Sequence, residues 1–92
     1  MTATTFYTVI STTSTDTAAL IDHAVDNGAD HLDSNGKHVT LGMPAFETSA
    51  QTHSEMRVAA RDHATRVLKG AQHGIIEPLN ITLPDGTVIE FS

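Results

Sequence analysis

The sequence predicts a small α+β domain: a mainly antiparallel sheet of about four strands with two helices on one face, in the order β-α-β-α-β-β. Three observations predict it. Thr48 to Ala71 carries an apolar stripe at the helical period, formed by Met56, Ala60, Ala64, Val67, Leu68 and Ala71. Leu79–Leu83 and Thr87–Phe91 alternate apolar and polar residues about a Pro84-Asp85-Gly86 turn. Thr4 to Ser11 is rich in β-branched and aromatic residues. A chain of 92 residues suffices for one domain, residues 1–92, with a small core.

The elements follow in order. In the first strand, Phe6, Thr8 and Ile10 share one face, and Tyr7, Val9 and Ser11 the other. Both faces are partly apolar, so the strand is expected inside a sheet. Ser11 to Thr15 is a polar connection. Asp16 to Asn27 reads as the first helix, capped by Ser14 or Thr15 and ended by Gly28. Ala18, Leu20, Ile21, Ala24 and Val25 form its inward side. Asp33-Ser34-Asn35-Gly36 is a turn signal ahead of a short strand, Lys37 to Leu41. Gly42 to Phe46 is an apolar loop that Pro44 keeps out of a helix. There Phe46 either caps the core or stands exposed as an anchor for a partner.

The second helix has two capping boxes at its start, Thr48 with Gln51 and Thr52 with Glu55. Lys69 suits its negative end, and Gly70 or Gly74 supplies the left-handed position beyond it. From Thr48 to Ala71 such a helix spans roughly 36 Å, against ~17–20 Å for a typical strand. It would overhang its sheet, bend, or meet a second chain. In the tail, a type I turn followed by a left-handed Gly86 pairs Leu83 with Thr87, Ile81 with Ile89 and Leu79 with Phe91. The expected core is Phe6, Ile10, Leu20, Ile21, Val25, Val39, Leu41, Met56, Ala60, Val67, Leu68, Ile81, Ile89 and Phe91. The opposite sheet face carries Tyr7, Val9, Thr82 and Val88, and no element remains to cover it.

Composition narrows the function. The content is 39% hydrophobic and 17% charged, a globular balance. There is no cysteine, hence no disulfide and no thiolate chemistry. No basic, apolar leader opens the chain and no stretch is long enough to span a bilayer, so a cytoplasmic, non-membrane protein is expected. The net charge of −6 argues against direct binding to nucleic acid or an anionic membrane. Asp16, Asp22, Asp26, Asp30, Asp33, Glu47 and Glu55 precede Arg57 with only Lys37 to offset them. After that point Asp62, Glu77, Asp85 and Glu90 balance Arg57, Arg61, Arg66 and Lys69. The excess therefore lies in the first part. Asp22 and Asp26 are like charges one turn apart, Asp26 at the helix end that disfavours acids. They either face Arg57 and Arg61, are simply solvated, or, with Asp30 and Asp33, form a partner-facing surface.

No catalytic or cofactor motif appears. His31 to Gly42 shadows a calcium loop, but His31 replaces the first Asp and Gly42 the bidentate Glu. His53, His63 and His73 are ten apart and cannot converge on one helix. His31 and His38 could meet across a hairpin, with Asp33 near. The reading is a small acidic non-enzymatic protein–protein interaction module, expected to self-associate, without cofactor or metal. Its candidate contact residues are Asp22, Asp26, Asp30, Asp33, Tyr7 and Phe46. The alternative is an acidic inhibitor that mimics nucleic-acid charge before a nucleic-acid-handling complex, as in phage counter-defence. A small metal-binding protein stands third.

Overall fold

The structure, a computed structural model described over residues 4–91, is an antiparallel sheet with two helices. The strands are β1 (Thr4–Thr13), β2 (Asp30–Asn35), β3 (His38–Gly42), β4 (Phe46–Thr48), β5 (Glu77–Thr82) and β6 (Val88–Glu90). The helices are α1 (Thr17–Asp26) and α2 (His53–Val67). Strand order is β2-β3-β1-β5-β6, with β4 beside the first half of β1. The α+β class and the central place of β1 agree with the sequence, but there are six strands rather than about four. The two additions are the least apolar or the shortest. Every residue of β2 is exposed, and β4 is three residues long.

Both helices start at side-chain caps. Asp16, rather than Ser14 or Thr15, caps α1: its carboxylate accepts from the Ala19 N–H at 3.1 Å. Ser14 instead accepts from the Asp16 N–H at 3.1 Å. Gly28, at φ +93°, turns the chain back in a conformation side chains disfavour. At α2 the second capping box is the one used. The Thr52 hydroxyl accepts from the Glu55 N–H at 3.1 Å, and the Glu55 carboxylate from the Thr52 N–H at 3.2 Å. Thr48 lies in β4, paired with Thr4, and its hydroxyl accepts from the Ala50 N–H. So α2 has 15 residues, about 22 Å, and is matched to its sheet instead of overhanging it.

The inward face of β1 is Phe6, Thr8, Ile10 and Thr12, all buried. Two clusters form over it. Ile10, Leu20, Ala24, Val39, Leu41, Met43, Ala64, Leu68 and Ile76 pack where α1 meets the end of α2. Phe6, Met56 and Ile81 pack under the start of α2, with Phe46, Ile89 and Phe91 beside them. Burying a side chain such as Leu20 or Leu68 contributes ~1.5–3 kcal/mol each. The expected core holds except at Val25, which is 49% exposed. Helix α1 lies over β2 and β3 at the border of the sheet, so its outer flank has nothing to pack against.

Hydroxyls on the buried face are all paired. Thr8 donates to the Asn80 carbonyl at 2.6 Å, Thr12 to Gly74 at 3.3 Å and Ser14 to Gln72 at 2.9 Å. The Thr8 bond sits where β5 bulges, Val9 pairing with Asn80 but Ile10 with Pro78. Pro78 has no N–H to lose there, which suits a bulge. The tail hairpin has the expected register: Ile81 opposes Ile89, and the Phe91 N–H donates to the Leu79 carbonyl. Gly86 sits at φ +92°. The Asp85 carboxylate accepts from the Thr87 N–H at 2.9 Å, which holds its carboxyl below the ordinary range.

Candidate functional site

Residues paired across an antiparallel ladder share one face, so the register maps the side of the sheet turned away from the helices. Asp30, Gly42, Val9, Asn80 and Glu90 form one row across it. Asp33, Thr40, Ser11 and Glu77 form the next, and Tyr7, Thr82 and Val88 lie on the other side of the first. Thr5 and Glu47 continue the face onto β4. A β2 irregularity between His31 and Asp33 turns Leu32 onto this face as well, where it lies over Gly42. Tyr7 is 55% exposed, Leu32 54% and Val88 51%. Among the described residues no element covers them.

The charge on this face is one-sided. Asp30, Asp33, Glu47, Glu77 and Glu90 are all exposed and lie around its border. None of the five Lys and Arg residues lies on it. Lys37 is in the β2–β3 turn, Arg57, Arg61 and Arg66 are on α2, and Lys69 follows it. The centre, from Thr40 through Val9 to Thr82, is uncharged.

The candidate residues separate into three groups. Tyr7, Asp30 and Asp33 meet on the open sheet face. Asp22 and Asp26 are exposed on α1, in the helix layer. Among the described residues neither forms an ion pair with Arg57 or Arg61. Arg57 instead lines a small hollow with His53, Glu90 and Phe91 at the β6 border, whereas α1 lies over the β2 border. Among the described residues the internal pairing is thus absent, and the two exposed aspartates are solvated. Phe46 stands apart, half-buried in the second cluster. Its ring is 4.4 Å from that of His63 and nearly parallel to it. The His63 Nε2 is 2.8 Å from the Pro44 carbonyl. Burial pulls the imidazole below its ordinary value of 6.5. The Pro44 carbonyl opposes that shift and the Arg66 charge adds to it.

Other sites are weaker. His31 opposes Leu41 while His38 opposes Asn35, so the hairpin does not bring the two imidazoles together. Among the described residues no three His, Asp or Glu side chains gather as a metal site. A groove of about 450 Å³ runs between the β4–α2 connection and α2, past Ala50, Val58 and Ala59. It is open to solvent, and Thr48, Ser49, Ser54, Glu55 and Asp62 line it beside these apolar residues. No helix among the described residues is long and apolar enough to cross a membrane.

Sequence reasoning reached Tyr7, Val9, Thr82 and Val88 on this face because strict alternation fixes them. Leu32 was hidden by an unread edge strand and its bulge. Glu47 and Glu77 were hidden because β4 is short and β5 starts two residues before the expected Leu79. Comparison with protein-family models, with curated proteins and with solved structures finds no match for this chain.

Proposed function

We propose that this chain is a small non-enzymatic protein–protein interaction module that docks its partner on the open face of the sheet. The observation that carries this reading is the exposure of Tyr7, Leu32 and Val88 together on a face left bare by its own helices. Single exposed apolar side chains are ordinary, but a group of them on one ordered surface marks an interaction site. An aromatic near the centre of an otherwise uncharged patch is the typical energetic anchor of an interface. The test compares proteins captured from the native host by the wild-type chain and by Tyr7→Asp/Val88→Asp. A partner retained by the first and lost by the second, with circular dichroism unchanged, supports the reading. Equal capture by both refutes it.

A second reading is favoured by the unpaired Asp22 and Asp26. With Asp30 and Asp33 they extend the negative surface from α1 to β2. This is the layout of an acidic inhibitor that occupies the cationic groove of a nucleic-acid-handling complex. Replacing these four aspartates by Asn separates the readings. The inhibitor loses binding, whereas a module anchored by Tyr7 and Val88 keeps most of it.

A further inference from the structure

We infer that the occupant of the open sheet face is a protein surface with an uncharged middle and Lys or Arg side chains along two opposite borders. The inference rests on the docking role proposed above and names the chemistry of the partner. Its basis is charge complementarity. Asp30 and Asp33 stand on β2, and Glu90 on β6 at the other border of the same face, where it also edges the hollow lined by Arg57. Glu77, in the row of Asp33, adds a second carboxylate on that side. Between Asp30 and Glu90 lie Gly42, Val9 and Asn80. Four strand spacings at ~4.8 Å set the two borders about 19 Å apart. One cationic side chain cannot serve both. The matching surface must present bases on each side of a strip that fits Tyr7, Val9 and Val88.

A second copy of the chain does not meet that description when it approaches with the same face. A two-fold axis along the strands lays β2 of one copy on β6 of the other, and an axis across the strands lays β2 on β2. Either way carboxylate faces carboxylate. A neutral partner would fit the centre but leave the border charges without a role. A basic-bordered partner is steered in by them, and they discriminate against acidic competitors. The competing explanation is that the border acids only guard a bare sheet from sticking to others.

The experiment uses the whole chain and two synthetic, cyclised hairpin peptides with the same Thr/Val/Tyr centre. One is bordered on both edges by lysines, the other by glutamates. Amide chemical shifts locate binding and titration gives affinity at low and high salt. The lysine-bordered peptide is expected to perturb Tyr7, Val9 and Thr82 and to bind about tenfold tighter or better at low salt, as the sum of several individually modest rim pairs. High salt should erase the difference. Asp30→Lys/Glu90→Lys should reverse the preference, and Asp33→Lys/Glu77→Lys provides a second pair of exposed positions should the first fold poorly. Equal binding of both peptides at the face overturns the charge requirement and leaves the docking face standing. Lysine-dependent binding that maps only to the helix layer overturns the inference. If neither peptide touches Tyr7 or Val88, the docking reading falls with it.

Discussion

Leu68→Ala, at the C-terminal cap of α2, is expected to cost this domain a large share of its stability, whereas Val58→Ala within α2 should cost almost nothing. Leu68 is fully buried and packs with Leu20, Ala24 and Ala64 where the two helices meet. Three carbons are lost on truncation, at ~0.8 kcal/mol each. A further cavity term follows because β1 and β3 hold the surrounding side chains in place, giving about 3 kcal/mol in total. A domain of this size has a total stability of roughly 5–14 kcal/mol, so about a fifth or more is at stake. The melting temperature should fall by roughly 12–24 °C. Val58 is 47% exposed, and the better helix propensity of Ala offsets most of the little burial it loses. The chain has no Trp and one Tyr, so urea unfolding followed by far-UV circular dichroism is the suitable assay. Equal losses for the two variants, with unchanged denaturant dependence, would show that α2 does not face the sheet as described.

Four other outcomes are expected. Thr52→Ala should cost ~1 kcal/mol by removing one half of the α2 capping box, measured by the same unfolding curves. Gly74→Ala should destabilise by ~1–3 kcal/mol, because a Cβ there meets the Thr13 hydroxyl, whose χ1 is stiff; Thr13→Ala in the same chain should restore most of the loss. Neutral, half-buried His63 stabilises the fold fully above 6.5, and that contribution is lost as pH falls below 6.5 because the unfolded chain takes up the proton more readily. His63→Phe should flatten the stability profile on that side, and an unchanged slope would count against the burial of the ring. Finally, Asp30→Asn, Asp33→Asn, Glu47→Gln, Glu77→Gln and Glu90→Gln combined should let the bare face associate with itself at neutral pH, seen as concentration-dependent mass by light scattering. A monomer at all concentrations would mean that charge is not what keeps the faces apart.

Legibility in the sequence followed the strength of local periodicity. The tail hairpin was readable to the residue because its turn chemistry and its alternation both demand Ile81 opposite Ile89. The α2 stripe was readable, but not its start. Thr48 and Thr52 head equally good capping boxes, and only the pairing of Thr48 with β1 decides between them. That is a tertiary effect with no local trace. β2 was invisible as a strand because Asp30, Asp33, Ser34 and Asn35 disfavour strands and none of its residues is buried. It forms because β3 offers a ladder and a two-residue loop closes it. Gly36, at φ +60°, takes the first central position, as in a type II′ turn. The open face was legible in half. Tyr7, Val9, Thr82 and Val88 follow from alternation, whereas Leu32, Glu47 and Glu77 depend on a bulge and on strands that other strands induce. The matched spacing of Asp22, Asp26, Arg57 and Arg61 suggested a pairing that the layout of the helices denies. Spacing along two helices carries no information about which way each is turned.

The middle place of β1 has a consequence for how the chain folds as it is made. On one side β1 pairs with β3 and β4, and these contacts, with α1, need only residues up to Thr48. Its other side waits for β5, and the Thr8 hydroxyl closes on a carbonyl 72 positions later in the chain. Long-range pairing of this kind is slow, since loop closure must precede any gain from contact. During synthesis a nascent half-sheet would therefore expose the inward edge of β1 and the apolar groups of Phe6, Ile10 and Leu41 until Thr82 clears the ribosome. Chaperone contact should be concentrated in that interval. Chains arrested before β5 should aggregate while full-length chains do not.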